Sequence, residues 1–162
     1  LFQYRKNYYG KTKMRALIQR VKRGSVTIDN NLYSKIDKGM VILLGVKEGD
    51  TEEDAKYLAY RCANLRIFED NNEKMNLSLL DTKGKALIVS QFTLYGDTRK
   101  GHRPSYTEAA KPELAEKLYD LFCLYLGEFI GKDNVATGVF RAMMEVEIIN
   151  DGPVTVMIES KN

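Results

Sequence analysis

An unbroken apolar run, Met40–Val46, is the feature that most constrains how this chain can fold. The run is far too short to cross a bilayer, and it is followed directly by the charged residues Lys47 and Glu48. A continuous apolar stretch of this length is typical of a strand that is buried on both faces. We therefore expect a strand inside a sheet whose two faces are both covered.

Further strands are predicted from apolar and polar alternation and from the turn residues that separate the alternating segments. Met14–Lys22 and Ser25–Asp29 flank Arg23–Gly24, a pattern that predicts a hairpin. The other predicted strands are Leu32–Ile36, Arg66–Phe68, Ala86–Leu94, Val139–Ile149 and Val154–Glu159, with Asn150–Pro153 interrupting the last two.

Two amphipathic helices are predicted between these strands. Asp50 is a suitable N-cap with Glu53 three residues later, and apolar residues follow at helical spacing. Pro112 suits the first turn of the second helix, and Gly131 suits its end. Strands at both ends of the chain indicate an α+β fold, with largely antiparallel β-sheets packed in layers and two amphipathic helices on one side.

The length suits one domain, which we expect over residues 14–162. Residues 1–13 are polar, basic and aperiodic, so we interpret them as a tag remnant or a disordered extension, with a functional basic arm as the alternative. They hold four of the 25 basic residues and none of the 22 acidic ones. The rest of the chain is close to neutral, so its global charge gives no reason to expect nucleic-acid binding.

Histidine and cysteine are scarce, since the chain has only His102, Cys62 and Cys123. This set excludes Cys₄, Cys₂His₂ and three-histidine zinc sites, and we expect neither a metal nor a cofactor. Both cysteines fall on or beside helical apolar stripes, which predicts core residues rather than nucleophiles. Two distant cysteines make no disulfide framework, which favours a reducing, cytoplasmic location.

The segment Ser90–Thr93 brings polar side chains to the end of an apolar strand, where sites are often built. Strand alternation would place Gln91 and Thr93 on the same face. A serine or threonine nucleophile needs an adjacent base, and the nearby candidates are His102 and a carboxylate such as Asp97. By pattern alone, the segment is more often a strand that emerges into solvent.

Two loops are further candidates. Asn150–Thr155 contains Gly152–Pro153 between two strands, which normally marks a turn, although its proline can be cis and its carbonyls can be aimed at a ligand. The loop Thr98–Arg103 fits either phosphate binding or a solvated surface loop. Its cations are Arg99, Lys100 and Arg103.

Together these segments resemble the D-aminoacyl-tRNA deacylases, colinearly over residues 14–159. Ser90–Thr93 is similar to the family's SQxT motif, and Asn150–Thr155 to its NxGPxT motif. One position departs from the pattern, because Arg141 stands where many members have glycine between Phe140 and Ala142; it either faces solvent or changes substrate contacts. Three other segments also resemble the family: Met14–Val21, Leu65–Phe68 and Lys100–Ser105.

Membership would imply a cytoplasmic homodimer that hydrolyses the ester between a D-amino acid and the terminal adenosine of tRNA, and that removes glycine mischarged on tRNA-Ala. The pocket would form at the dimer interface. The resemblance implies that the catalytic segment, which holds the adenosine and the scissile ester, is Ser90, Gln91, Phe92 and Thr93.

Chiral selection is implied for a second set of residues: Gly152, Pro153, Val154 and Thr155. Gly152 and Pro153 would enter the partner's pocket as a cis-proline element and leave no room for an L side chain. Glycine has no side chain to exclude, so glycyl-tRNA would pass the same filter. Contacts to the tRNA would come from Arg99, Lys100 and Arg103.

The resemblance leaves the chemistry open between two proposals. Either Thr93 is a nucleophile, or the 2′-hydroxyl of the RNA assists attack while protein donors stabilise the oxyanion. We favour the second, because the motif shows no base for Thr93. Two other functions compete: a small-molecule ester or amide hydrolase that uses Ser90 or Thr93 with His102, and a non-catalytic tRNA-binding module.

Overall fold

The computed structural model describes residues 13–160, which form eight strands, three α-helices and two 3₁₀ helices. The strands are β1 (Arg15–Ile28), β2 (Asn31–Ile36), β3 (Gly39–Gly45), β4 (Phe68–Glu69), β5 (Met75–Leu77), β6 (Lys85–Ser90), β7 (Val135–Thr137) and β8 (Glu145–Glu159). The α-helices are α1 (Glu52–Ala63), α2 (Leu79–Thr82) and α3 (Pro112–Ile130), and the 3₁₀ helices are Phe92–Tyr95 and Lys132–Asn134.

Six strands form one sheet around the long strand β1. β1 pairs antiparallel with β8 on one side and with β3 and then β2 on the other, while β3–β6 and β6–β7 are parallel. The Ser34 hydroxyl on β2 donates to the Thr137 carbonyl on β7 at 2.7 Å, so the two ends of the sheet approach each other. The sheet is therefore nearly closed and barrel-like. The mixed α+β class with mostly antiparallel pairing is confirmed, and the stacking in layers stays a prediction.

The hairpin predicted around Arg23–Gly24 is wrong, because β1 runs through these residues without a turn. Here β1 exchanges neighbours, pairing with β3 up to Val21 and with β2 from Gly24 onward. A Cβ atom at Gly24 would lie 2.8 Å from Cγ2 of Val41. The missing side chain at Gly24 thus allows Val41 of β3 to approach β1 closely. In the sequence, a glycine in this role looks the same as a glycine in a turn.

Strand β3 is buried on both faces, as predicted for Met40–Val46. One face packs against α1 and α3 in the larger hydrophobic core. The other face contributes Val41 to a smaller core inside the curve of the sheet, together with Val26, Leu87 and Val89. The polypeptide therefore covers the central strands with helices on one side and with its own curled sheet on the other.

The two long helices lie close to their predicted positions. α3 begins at Pro112 and ends at Ile130, and it is capped by Gly131, whose φ of 96° suits a glycine. α1 is capped by Thr51 and Asp54 rather than by Asp50 and Glu53, one residue later than predicted. The short helix α2 was not predicted; Ser78 and Asp81 cap it in a region where turn residues dominate the sequence.

Both cysteines lie in or against the helical core, which confirms their predicted structural role. Cys62 is buried on α1 and Cys123 is partly buried on α3. Burial raises the pKa of each thiol to about 12, so neither is a ready nucleophile. Within residues 13–160, no helix combines the length and apolar character that a membrane span requires. The prediction for residues 1–13 falls outside the described residues except at Lys13.

Candidate active site

A cavity of about 700 Å³ opens between the end of β6, the start of α3 and the segment that joins β7 to β8. Ser90, Gln91 and Phe92 of the predicted catalytic segment line it. Most of the remaining wall is apolar or aromatic, as in sites that bind small organic groups. That wall consists of Val46, Val89, Tyr106, Ala109, Ala110, Pro112, Ala115, Phe140, Arg141, Ala142, Met143, Met144 and Val146.

The end of strand β6 builds the cavity edge. The predicted strand Ala86–Leu94 is too long, because β6 ends at Ser90 and the chain enters a 3₁₀ helix. The Gln91 backbone N–H donates to the Leu44 carbonyl at 2.8 Å, which ties the turn to β3. Alternation therefore stops at Ser90, and the motif lies on a tight turn instead of a strand.

Tyr95 anchors the 3₁₀ helix against β3. Its hydroxyl donates to the Gly45 carbonyl at 3.1 Å, and burial raises the pKa of this phenol. A Cβ atom at Gly45 would lie 2.9 Å from the Tyr95 ring, so only glycine permits this packing. Arg15 adds a hydrogen bond to the Leu94 carbonyl at 3.1 Å and lies over the Tyr95 ring at 4.9 Å. The Ser90–Thr93 segment thus rests on a rigid support.

Within this segment, the Gln91 side-chain amide donates to the Thr93 hydroxyl oxygen. Thr93 is exposed and is not among the residues that line the cavity. Phe92 is 55% exposed and meets Tyr106 edge-on, with ring centroids 5.1 Å apart. The two rings form an aromatic edge at the cavity, a surface on which a nucleobase can stack.

The loop after the 3₁₀ helix holds the predicted phosphate-binding cations, none of which lines the cavity. Arg99 is engaged with Asp97 through two hydrogen bonds of 2.9 and 2.7 Å. These bonds to Arg99 hold the pKa of the Asp97 carboxyl well below its usual range. Lys100, His102 and Arg103 are exposed.

The second motif, Asn150–Thr155, is a bulge within β8 instead of a turn between two strands. The pairing with β1 passes from Gln19–Thr155 directly to Val21–Asn150, so the residues between bulge outward. The Gly152–Pro153 peptide bond is cis, and both residues are exposed.

Hydrogen bonds fix both ends of this bulge. The Asn150 side chain donates to the carbonyls of Arg20 and Val154 at 2.9 and 3.1 Å. Gln19 donates to the Thr155 hydroxyl oxygen at 3.2 Å, and Val154 is buried. The exposed Gly152–Pro153 tip is therefore held on an ordered base.

Arg20 supports the bulge, a role that the sequence analysis missed. Its side chain is almost fully buried; it donates to the carbonyls of Asp151 at 3.1 Å and Ile67 at 2.8 Å, and it pairs with the Asp151 carboxylate at 3.2 Å. The pattern contained a signal, since Arg20 continues the inward-facing positions of Ala16 and Ile18 on β1. A charged residue on the buried face of a strand indicates a specific partner.

The two motifs do not meet within one chain. None of the residues Asn150–Thr155 lines the cavity. The bulge is anchored at Arg20, and the 3₁₀ helix that follows Ser90 is anchored at Arg15. These two residues are five positions apart on β1, which corresponds to about 17 Å along a strand.

The joining segment Gly138–Met144 supplies cavity residues that carried no motif. The predicted strand Val139–Ile149 begins only at Glu145, because a turn precedes it in which the Ala142 N–H donates to the Val139 carbonyl at 3.1 Å. Arg141 in this turn has a φ of 68°. Phe140, Met143 and Met144 resemble strand residues in sequence, so only the folded chain assigns them to the wall.

A sequence model of the family described as D-Tyr-tRNA(Tyr) deacylase matches residues 17–159. The D-aminoacyl-tRNA deacylase of Halothermothrix orenii is 57% identical over 147 residues, which cover 91% of this chain and 97% of that protein. The D-aminoacyl-tRNA deacylase of Fervidobacterium nodosum is 56% identical over 149 residues, with 91% and 98% coverage.

Two solved structures are similar to this fold. A protein described as the c-Myc DNA Unwinding Element Binding Protein matches with a TM-score of 0.87 at 38% identity, covering 91% of this chain and 99% of its own. A probable eukaryotic D-amino acid tRNA deacylase matches with a TM-score of 0.79 at 19% identity, with 91% and 100% coverage, and shares the fold.

Proposed function

The chain belongs to the D-Tyr-tRNA(Tyr) deacylase family, whose curated members are hydrolases of ester bonds, and from this membership we propose that it hydrolyses the ester of D-aminoacyl-tRNA. The observation that carries the proposal is the cavity whose edge is Ser90, Gln91 and Phe92 on a supported turn. The aromatic edge suits the terminal adenosine, and the neighbouring polar groups suit the ester.

In the proposed chemistry, water attacks the ester carbonyl, the ribose oxygen leaves with a proton from that water, and the RNA instead of a protein base assists the attack. The only side-chain hydrogen bond to Thr93 within residues 13–160 is donated by the Gln91 amide N–H, and an amide is too weak a base to take the hydroxyl proton. The 2′-hydroxyl of the terminal ribose lies next to the ester in any aminoacyl-tRNA and can assist attack. Donors such as the Gln91 amide then stabilise the developing oxyanion.

The proposed chiral filter is the Gly152–Pro153 tip, acting in the cavity of a second copy of the chain. Its exposure, its anchored base and its absence from the cavity of its own chain support this arrangement. A homodimer would then have two sites, each made by both protomers. Exclusion of L side chains by backbone atoms explains how one site accepts many D residues and also glycine on tRNA-Ala.

Proposed contacts to the tRNA beyond the adenosine come from the loop after the 3₁₀ helix. Lys100 and Arg103 are exposed and form no ion pair within residues 13–160, whereas Arg99 is engaged with Asp97. We accordingly assign the stronger phosphate contacts to Lys100 and Arg103. Because the proposed substrate belongs to translation, we also propose a cytoplasmic location.

Of three alternative functions, two receive less support. A hydrolase that uses His102 as base requires that side chain at the cavity, and it is exposed outside the lining. DNA binding, suggested by the name of one structural relative, would be favoured by a basic surface, and the chain beyond residue 13 is close to neutral. A measurement of hydrolysis distinguishes the third alternative, a tRNA-binding module without catalysis, from a deacylase.

The test is single-turnover hydrolysis of D-Tyr-tRNA, L-Tyr-tRNA and Gly-tRNA-Ala by the purified protein. We expect accelerated loss of the D and glycyl esters, and a rate on the L ester within about twofold of the uncatalysed rate, because steric exclusion removes binding of the L substrate altogether. Equal acceleration of both enantiomers would contradict the chiral filter. Binding without acceleration would identify a tRNA-binding module.

A matched control is His102→Ala, which removes an exposed side chain outside the cavity. We expect it to keep the wild-type rate at saturating D-Tyr-tRNA. Loss of the chemical step in this variant would instead support the hydrolase that uses His102 as a base.

A further inference from the structure

The cavity wall carries a single charge. Among the described residues that line it, Arg141 is the one ionised side chain, and the others are apolar, aromatic or neutral polar. Its side chain is exposed and forms no ion pair within residues 13–160. A cation without a protein counter-ion at the rim of an otherwise uncharged cavity is a ready partner for an anionic group of the ligand.

The backbone presents Arg141 in a defined way. Its φ of 68° lies in the left-handed region, which residues other than glycine rarely adopt. The turn is fixed by hydrogen bonds from Ala142 to Val139 at 3.1 Å and from Gly138 to Ile88 at 3.0 Å. Phe140 packs against Tyr119, with ring centroids 6.3 Å apart. The guanidinium therefore projects from an ordered turn rather than from a loose loop.

We propose that Arg141 binds the phosphodiester on the 5′ side of the terminal adenosine, a specificity contact that rests on the proposed function. In an aminoacyl-tRNA this phosphodiester is the anion nearest the terminal ribose, and every substrate carries it whatever its amino acid. The planar guanidinium matches the geometry of two phosphate oxygens. Among the described residues, the uncharged remainder of the wall offers that anion no other counter-ion.

The carboxylate of an acidic aminoacyl group is also an anion that pairs with a guanidinium. The experiment therefore distinguishes binding of the phosphodiester from binding of such a carboxylate. The first arm measures the Kd of the dinucleotide cytidylyl-(3′,5′)-adenosine and of adenosine by calorimetry. We expect the dinucleotide to bind at least about tenfold more tightly than adenosine. Arg141→Gly should abolish this difference, and Arg141→Lys should retain part of it. The slope of log Kd against log salt should fall by about 0.7 in Arg141→Gly.

Lys83→Gly is the matched control. Lys83 is also an exposed cation with a positive φ, 55°, and it stands outside the cavity lining. Both variants remove one charge and place glycine in a left-handed conformation, so a general effect of charge or backbone would appear in both. We expect Lys83→Gly to bind the dinucleotide like wild type. A dinucleotide advantage that survives Arg141→Gly, or that disappears equally in both variants, would overturn the proposal.

The second arm measures KM for D-Tyr-tRNA and D-Asp-tRNA. Arg141→Gly should raise both KM values by the same factor, about tenfold, because the phosphate is common to both substrates. A loss confined to D-Asp-tRNA would overturn the proposal in favour of the acidic side chain. If the wild-type protein hydrolyses neither substrate, the proposed function fails, and the dinucleotide arm still decides whether Arg141 binds the phosphate.

Discussion

Thr93 shows how the surroundings of one side chain limit its chemistry. Its hydroxyl oxygen accepts a hydrogen bond from the Gln91 amide, whereas a nucleophile needs a neighbour that accepts its proton. Asp97, a few residues later, is bound by Arg99, and the lowered pKa of its carboxyl makes it a weak base. These contacts favour a role for Thr93 in orienting Gln91 over a role as a nucleophile.

Thr93→Ala should therefore leave much of the activity. We expect kcat for D-Tyr-tRNA to fall by less than about tenfold, because the variant loses one hydrogen-bond acceptor for Gln91 and no reacting atom. Loss of a true nucleophile typically costs about 10⁴-fold or more. Single-turnover deacylation measures the effect, with Thr98→Ala as an exposed threonine control on the same surface. A fall to the uncatalysed rate would establish Thr93 as the nucleophile.

Strand β8 combines a structural task with the proposed chiral filter. Its flanks pair with β1, while its bulge carries the exposed Gly152–Pro153 tip. Arg20 joins this bulge to the backbone of Ile67 through two hydrogen-bonded carbonyls. The bulge that carries the tip thus contacts a buried cation on the neighbouring strand, and we propose Arg20 as a positioning residue for the filter.

Arg20→Met should loosen the bulge. The variant leaves two carbonyls without their donor, and we expect a loss of unfolding free energy of about 1–3 kcal/mol. The ratio of D-Tyr to L-Tyr hydrolysis should fall as the tip loses its fixed position. Thermal unfolding and the enantiomer ratio measure the two effects.

Arg23→Met is the matched control, because Arg23 lies on the same strand and its pair with Glu147 is largely exposed. Such a surface pair is worth about 0–1 kcal/mol, so the control should keep both the stability and the ratio. If Arg20→Met matches Arg23→Met in both measurements, the positioning role is wrong.

For the whole molecule, the separation of the two motifs is the decisive feature. The cavity of one chain lacks the residues Asn150–Thr155, while the same chain displays the Gly152–Pro153 tip to solvent. Met143, 90% exposed beside the cavity, and Met157 on β8 are apolar surface that a second copy would cover. A site completed between protomers unites these observations.

Mixed dimers test this arrangement. One protomer carries an altered tip, Gly152→Ala with Pro153→Ala, and its homodimer should hydrolyse L-Tyr-tRNA. The other has an inactivated cavity, Gln91→Ala with Phe92→Ala, and an intact tip. In heterodimers purified through two different tags, the intact tip enters the only active cavity, so L-Tyr-tRNA hydrolysis should fall at least about tenfold while D-Tyr-tRNA hydrolysis persists.

The control heterodimer uses a partner that carries all four substitutions and so cannot restore L rejection. If the tip acts within its own chain, the active cavity keeps its altered tip in both heterodimers. Equal L-Tyr-tRNA hydrolysis by the two preparations would therefore contradict a site shared between protomers.

Features that depend on local pattern were predictable. Helix α3 follows from its apolar spacing, with Pro112 at the start and Gly131 at the end, and the buried strand β3 follows from its apolar run. The hairpin at Gly24 was wrong because a glycine that permits close packing looks like a glycine in a turn. Strand β6 was predicted too long because Phe92 and Leu94 continue an apolar alternation beyond Ser90, where the chain instead enters a 3₁₀ helix.

The sequence by itself determined the two long helices, the buried strand β3, the scarcity of histidine and cysteine, and the two motifs that mark the family. Those properties reside in residue types and short spacings. Only the tertiary structure decided that β1 is one strand, that Arg20 supports the bulge and that Arg141 is the charge on the cavity wall. Each of these depends on contacts between segments far apart in the chain, and the strength of such contacts is set by distance and burial, which no local pattern encodes.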